Sequence, residues 1–321
     1  MSNQQKTLKA AVKSQDFNGM SKILDKVARE ILTEFVDKQL QENELAISLI
    51  DLTKRCDQDK ATDNRSAAEL PEAVHYHGEE PVYPASIVKL FYLAAAHQWL
   101  EEKKIPERNE IVCEVIRACK DMIVESSNDA THYIVDVLTG TTGGPELSPD
   151  EMAIWMEKRN VINRYFQGLG YKNINVNQKT WGDGPFGRER IFYGKDFANR
   201  NKLTTNATAR LLSEIVTGNC VSKERSKSML DLMTRDFTKS SVDPDDEATG
   251  FMGPVLPPGA RLWSKAGWMS TARHDAAYIE LPDGIRFVLV AFISNHAKEY
   301  AILPAITAKV IKSLEEYHRT K

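Results

Sequence analysis

Apolar residues return at helical spacing over residues 20–37, where Met20, Leu24, Val27, Ile31 and Phe35 share one face. That spacing predicts an amphipathic helix. The period then changes: ELAISLIDL, residues 44–52, is a short, largely apolar run and reads as a strand. From Arg55 to about Glu72 the chain is polar without a period and is expected to be a loop. AVHYHGEEPVYP, residues 73–84, alternates around Gly78 and suggests a hairpin or short strand pair with His75 and His77 on one face. Two histidines do not make a metal site, and the sequence places no further ligands beside them.

Helical spacing predicts helices over 86–102, 109–124, 127–139, 150–168, 204–218 and 222–236. Gly- and Pro-rich loops at 141–149 and 240–259 punctuate them. Residues 171–203 are polar, contain glycine and have no period; a loop of that length inside a compact domain points to function. Past Gly259 the pattern turns to strands at 261–268, 275–281 and 285–293, the last two joined by a Pro-Asp-Gly turn signal. Leu303, Ile306, Val310, Leu314 and Tyr317 then form one face of a final helix.

One strand near the start and three near the end, bracketing a block of helices, imply an α/β fold of the α+β sandwich type. An antiparallel sheet of about five strands is built from both chain ends and flanked by the terminal helices, with an all-helical lobe beside it. The expected organisation is a polar N-terminal extension at 1–19, a discontinuous α/β lobe at 20–85 and 204–321, and a helical lobe at 86–203. The active site is expected between the lobes.

Composition narrows the class. A chain of 321 residues can bury a substantial core. Its 42 basic and 45 acidic side chains leave a net charge of -3, which argues against a nucleic-acid footprint. The first twenty residues lack the apolar stretch of a signal peptide, and no run is long enough to span a bilayer, so a soluble, cytoplasmic protein without membrane insertion is expected. Cys56, Cys113, Cys119 and Cys220 form no C-x-x-C pair; Cys113 and Cys119 are expected to be buried free thiols. Nothing calls for a cofactor.

Three short motifs carry chemistry. In YPASIVKLFYL, residues 83–93, Ser86 and Lys89 stand at the start of an apolar helix, on one face and one turn apart. Ser86 reads as a helix N-cap or as a nucleophile. A lysine in a desolvated site loses its proton near neutral pH and can then activate a hydroxyl. Ser126-Ser127-Asn128 breaks two helical patterns. A cap there accounts for one or two of these residues, while a second hydroxyl could relay a proton and the amide could hold Lys89 or a substrate. Lys265-Ala266-Gly267 lies in a predicted strand, where a lysine is costly unless it faces a cleft, and Gly267 admits close backbone approach.

Ser-x-x-Lys, Ser-x-Asn and Lys-x-Gly, in that order, resemble the motif set of the penicillin-recognising serine hydrolases, and of class A β-lactamases in particular. The resemblance runs over about residues 20–318 and includes MIVESSNDAT before the second motif and LTTNATARLLSEIVTG at 203–218. It implies Ser86 as the acylated nucleophile, Lys89 as its base and Ser126 as proton donor to the leaving group. Asn128 would contact the substrate amide, and Lys265 would bind a substrate carboxylate and tune Ser126. The backbone N–H groups of Ser86 and Trp268 would form the oxyanion hole.

The chain departs from that family in three places, one of them that no export signal is visible although the family's usual targets lie outside the cytoplasm. Ala266 stands where the third motif carries Thr or Ser. The Glu-x-x-Leu-Asn string of the Ω-loop, which supplies the deacylating base, is missing from 181–203. Glu189 occupies about the right position, but between Arg188 and Arg190 it reads better as a surface carboxylate. Trp268 is expected either to wall a subsite or to pack in the core. The expected activity is hydrolysis of a β-lactam or related amide or ester on a small or peptide-like substrate with a carboxylate. A peptidase or esterase with slow deacylation, and a non-catalytic binding module, are the alternatives.

Overall fold

The computed structural model describes residues 3–53, 73–105 and 109–320. Cys56 and the whole of the loop expected at 55–72 lie outside the described residues.

Helix α1 (Asn3–Glu34) opens the chain, so the helix begins well before the predicted Met20 and takes in the stretch expected as a polar extension. Strand β1 (Leu45–Asp51) follows, then β2 (Val74–Tyr76). The helical lobe contains α2 (Val88–Glu101), α3 (Asn109–Val124), α4 (Asn128–Thr139), α5 (Pro149–Arg159), α6 (Val161–Gly168) and α7 (Gly187–Tyr193). Helices α8 (Thr205–Val216) and α9 (Lys223–Leu232) lead to β3 (Thr234–Arg235), β4 (Arg261–Met269), β5 (Ala272–Glu280) and β6 (Arg286–Ser294). Helix α10 (Ile302–Arg319) ends the fold.

The six strands form one sheet in the order β2-β1-β6-β5-β4-β3, with antiparallel pairing at every neighbour. The N-terminal strand β1 thus pairs with β6, as expected of a sheet assembled from both chain ends. The sixth strand is the two-residue β3, too short to give a period, at the end of a predicted helix. The stretch from 73 to 84 contributes one strand rather than a hairpin: Val82 leaves the sheet to bridge Leu203. The helix expected at 150–168 is two helices broken at Asn160.

Period-two alternation divides the sheet between two cores. Ile47, Leu49, Ala277, Ile279, Leu289 and Ala291 face the terminal helices, with Leu24, Ile31, Leu303 and Val310 against them. Ala46, Ile50, Ala276, Tyr278, Val288 and Val290 face the helical lobe, where Phe91, Met122 and Leu212 pack. Helix α2 is buried nearly all round, so it is the central rod of that lobe and its first turn is fixed in position. Cys119 and Cys220 are buried, but Cys113 is exposed on α3, about one and two-thirds helical turns from Cys119 and therefore on a different face. Among the described residues no helix is long and apolar enough to cross a membrane.

Candidate active site

Ser86 lies in a 3-10 turn (Ala85–Ile87) that runs directly into α2. It is not a helix cap: neither the turn nor α2 has a side-chain cap hydrogen bond, and Ile87 occupies the N-cap of α2. Ala85 adopts a left-handed φ of 47°, a conformation costly for a residue with a Cβ, which the surroundings hold in place. His274 of β5 is one restraint. Its Nδ1 accepts from the Ile293 N–H at 3.0 Å, which leaves Nε2–H to donate to the Tyr83 carbonyl at 2.9 Å. Burial lowers the pKa of this imidazole to about 4, so it stays neutral at working pH.

Gly267 of β4 is a second restraint. A Cβ built there would lie 2.8 Å from the Pro84 carbonyl oxygen and 2.9 Å from the Ser86 nitrogen. Backbone atoms cannot move aside as a side chain can. Gly267→Ala is therefore expected to lose about 1–3 kcal/mol of stability through overpacking and to displace Ser86. Urea unfolding measures the first effect and acylation kinetics the second; an unaffected variant would remove the steric argument.

Lys89, one turn into α2, has no solvent exposure. Its ammonium donates to the Ser126 carbonyl at 2.5 Å, to Asn128 Oδ1 at 2.9 Å and to Ser126 Oγ at 3.2 Å. Desolvation, with help from the charge of Lys265 and against that of Glu247, lowers its pKa to about 7. Ser127 caps α4 by accepting from the Ala130 N–H at 3.1 Å. Ser126 has a left-handed φ of 52°, which turns it away from the helix it precedes. The three residues thus divide the work: Ser127 starts the helix, and Ser126 and Asn128 meet Lys89.

Strand β4 is paired with β3 only at Leu262 and Trp263. Beyond that, no strand among the described residues pairs with its outer edge. The N–H groups of Ser264, Ala266 and Trp268 share this edge by the alternation of an antiparallel strand. Ser264 donates to the Met233 carbonyl at 2.9 Å and Ala266 to Glu247 Oε2 at 3.4 Å. Trp268 is 53% exposed, so its ring is not part of the core, and strand alternation puts it on the same face as Ala266, opposite Lys265. Lys265 is fully buried; its Nζ donates to the Ala266 carbonyl at 2.9 Å and pairs with Glu247. Desolvation lowers its pKa, against the pull of Glu247. Arg235 Nη2 joins the same carboxylate at 2.6 Å. Burial, with the Glu247 charge beside it, raises Asp275, the cross-strand partner of Ala266, to about 7.

Glu247 and Arg235 carry no motif and sequence reasoning missed both. Glu247 lies in the 240–259 stretch, which reads only as a Gly- and Pro-rich loop. The one available signal was the buried Lys265, which required a counter-ion from somewhere.

Glu189 is not a surface carboxylate. It is 1% exposed, on α7, and Oε1 accepts from Arg159 Nη2 at 2.6 Å with Lys179 Nζ at 3.4 Å. Arg188, its sequence neighbour, points elsewhere: its Nε donates to the Pro145 carbonyl. The segment 171–203 returns on itself, since Asn175 bridges Lys202. Tyr92 of α2 donates to the Gln178 carbonyl at 2.6 Å and ties that segment to the rod that carries Lys89.

A model of the beta-lactamase enzyme family matches residues 66–314. A search of curated protein sequences returns no match. Among solved structures, a variant of the last common ancestor of Gram-negative bacteria class A beta-lactamase has a TM-score of 0.61 at 14% identity, covering 91% of this chain and all of that one. PBP-A has a TM-score of 0.58 at 17% identity, over 91% and 97% of the two chains. A beta-lactamase from Sphaerobacter thermophilus has 0.57 at 15%, over 84% and 90%. At these identities the likeness is one of fold.

Proposed function

The chain belongs to the beta-lactamase enzyme family, whose model spans most of its length, and we propose that it is a serine hydrolase working through an acyl-enzyme on Ser86. The observation that carries this reading is Lys89: a buried amine with a pKa near 7, one turn from Ser86 and in contact with the Ser126 hydroxyl. In the proposed reaction Ser86 Oγ bonds to the carbonyl carbon of an amide or ester as its proton passes to Lys89 Nζ. The N–H groups of Ser86 and Trp268 receive the oxyanion. Collapse breaks the bond to the leaving atom, which takes the Ser126 proton, and the Lys89 ammonium reprotonates Ser126. Water then releases the acyl group.

Intact-mass measurement after exposure to penicillins, activated esters and fluorophosphonates tests the reading. Absence of any adduct on Ser86 would sink it. The base also sets a pH profile. Lys89 must be neutral to accept the proton, and its pKa lies near 7. Acylation is expected to rise about tenfold from pH 6 to pH 8 and then to level off. Stopped-flow acylation rates across that range check it, and a flat profile would remove Lys89 as the base.

One observation favours slow release over rapid turnover. The carboxylate nearest in sequence position to a deacylating base, Glu189, is engaged by Arg159 and Lys179. A stoichiometric burst followed by a slow steady state is the kinetic pattern expected of such a site.

A further inference from the structure

Glu247 holds the donors that a substrate carboxylate would need. Its carboxylate pairs with Lys265 Nζ, accepts from Arg235 Nη2 at 2.6 Å, and accepts from the outward N–H of Ala266 at 3.4 Å. We propose that Glu247 is a built-in carboxylate filling the anion subsite beside Ser86, so that the site selects acyl donors that are uncharged or carry N–H donors next to the scissile carbonyl. This inference rests on the Ser86 acyl-enzyme reading and departs from the carboxylate-bearing substrate that the motifs imply.

Two observations make Glu247 a fixed part of the site and not a lid. The first is the anchoring of its loop. Arg273, 1% exposed, donates to Asp245 Oδ1 at 2.7 Å and to the Pro244 and Gly250 carbonyls at 2.6 Å each. The second is packing: Phe251, just beyond, is fully buried with the Arg273 guanidinium over its ring at 4.0 Å. A substrate carboxylate could take Lys265 only by displacing Glu247, and the displaced anion would stay beside it. Like charges so placed repel, which selects against an acid. Ala266 adds to the effect, since its methyl supplies no hydroxyl for a carboxylate and its side chain belongs to the core on the other face of the sheet.

The test compares benzylpenicillin with its methyl ester on the full-length protein, reading the second-order rate of Ser86 acylation by intact mass. The ester is expected to react about tenfold faster or more in the wild type, and Glu247→Gln to shift the ratio about tenfold toward the acid. A wild type that prefers the acid overturns the inference, and so does a folded Glu247→Gln variant with an unchanged ratio. The wild-type ratio decides by itself if the variant does not fold. Failure of both probes and of a fluorophosphonate to label Ser86 overturns the acyl-enzyme reading and this inference with it, whereas labelling with an acid preference overturns this inference alone.

Discussion

Replacing Ser86 by alanine is expected to lower acyl transfer by about 10⁴-fold or more and to abolish covalent labelling, because no other group supplies the bond-forming oxygen. Stability should change little, within about 0.5 kcal/mol, since the residue is half-buried and its loss breaks no structural feature on which a large effect depends. The expectation of an N-cap serine would have predicted otherwise, as losing a cap costs about 1 kcal/mol. Here the turn at Ala85–Ile87 and helix α2 have no side-chain cap hydrogen bond to lose. Acyl transfer and stability are therefore expected to separate at this position. Intact-mass labelling and thermal melts of wild type and Ser86→Ala measure the two. Undiminished turnover in the variant would transfer the chemistry to another residue, and unchanged ligand affinity with no activity to lose would favour the non-catalytic module.

Part of the candidate site's geometry was legible in the sequence for a physical reason. Ser86 and Lys89 lie one turn apart, Ser126 and Asn128 stand at the start of α4 and Gly267 lies within β4, and the elements that carry them have strong periods. The strands at 261–269 and 286–294 and the rod at 88–101 are long apolar runs, and their positions follow from pattern alone. Residues 171–203 were opaque for a physical reason. They are ordered by side-chain amides: Asn201 accepts from the Asn177 and Gln178 N–H groups at 3.1 and 2.9 Å, and Asn163 Oδ1 accepts from Val176 N–H at 2.7 Å. Such bonds leave no hydropathic period. Glu247 was invisible for a related reason, because an ion pair spanning 18 residues has no spacing rule to betray it.

The same opacity hid the most exposed claim about Glu189, and the sharpest stability prediction follows from its true surroundings. Arg159→Met is expected to cost about 3–5 kcal/mol, a large share of a typical domain's total. Arg159 has no solvent exposure; it meets Glu189 at 2.6 Å and Asp136 at 3.4 Å, donates to Thr141 Oγ1 at 2.8 Å, and lies 4.4 Å over the Trp155 ring. Methionine keeps much of the length and apolar contact but removes the charge. Lys179, which bonds Asp136 at 2.8 Å and Glu189 at 3.4 Å, would then face two carboxylates alone. Burial already raises the Asp136 pKa, so the cluster has little room for a further uncompensated anion. Urea titration of Arg159→Met, Glu189→Gln and the double variant measures the coupling. The double variant should be less destabilised than the sum of the singles, because removing both charges leaves no orphan. If Glu189 is structural, the acylation rate per folded molecule changes by no more than about threefold in Glu189→Gln, and release of the acyl group is equally unaffected. A Glu189→Gln variant that folds normally yet traps the acyl-enzyme would return Glu189 to the role of deacylating base and make its ion pairs the means of holding that base in place.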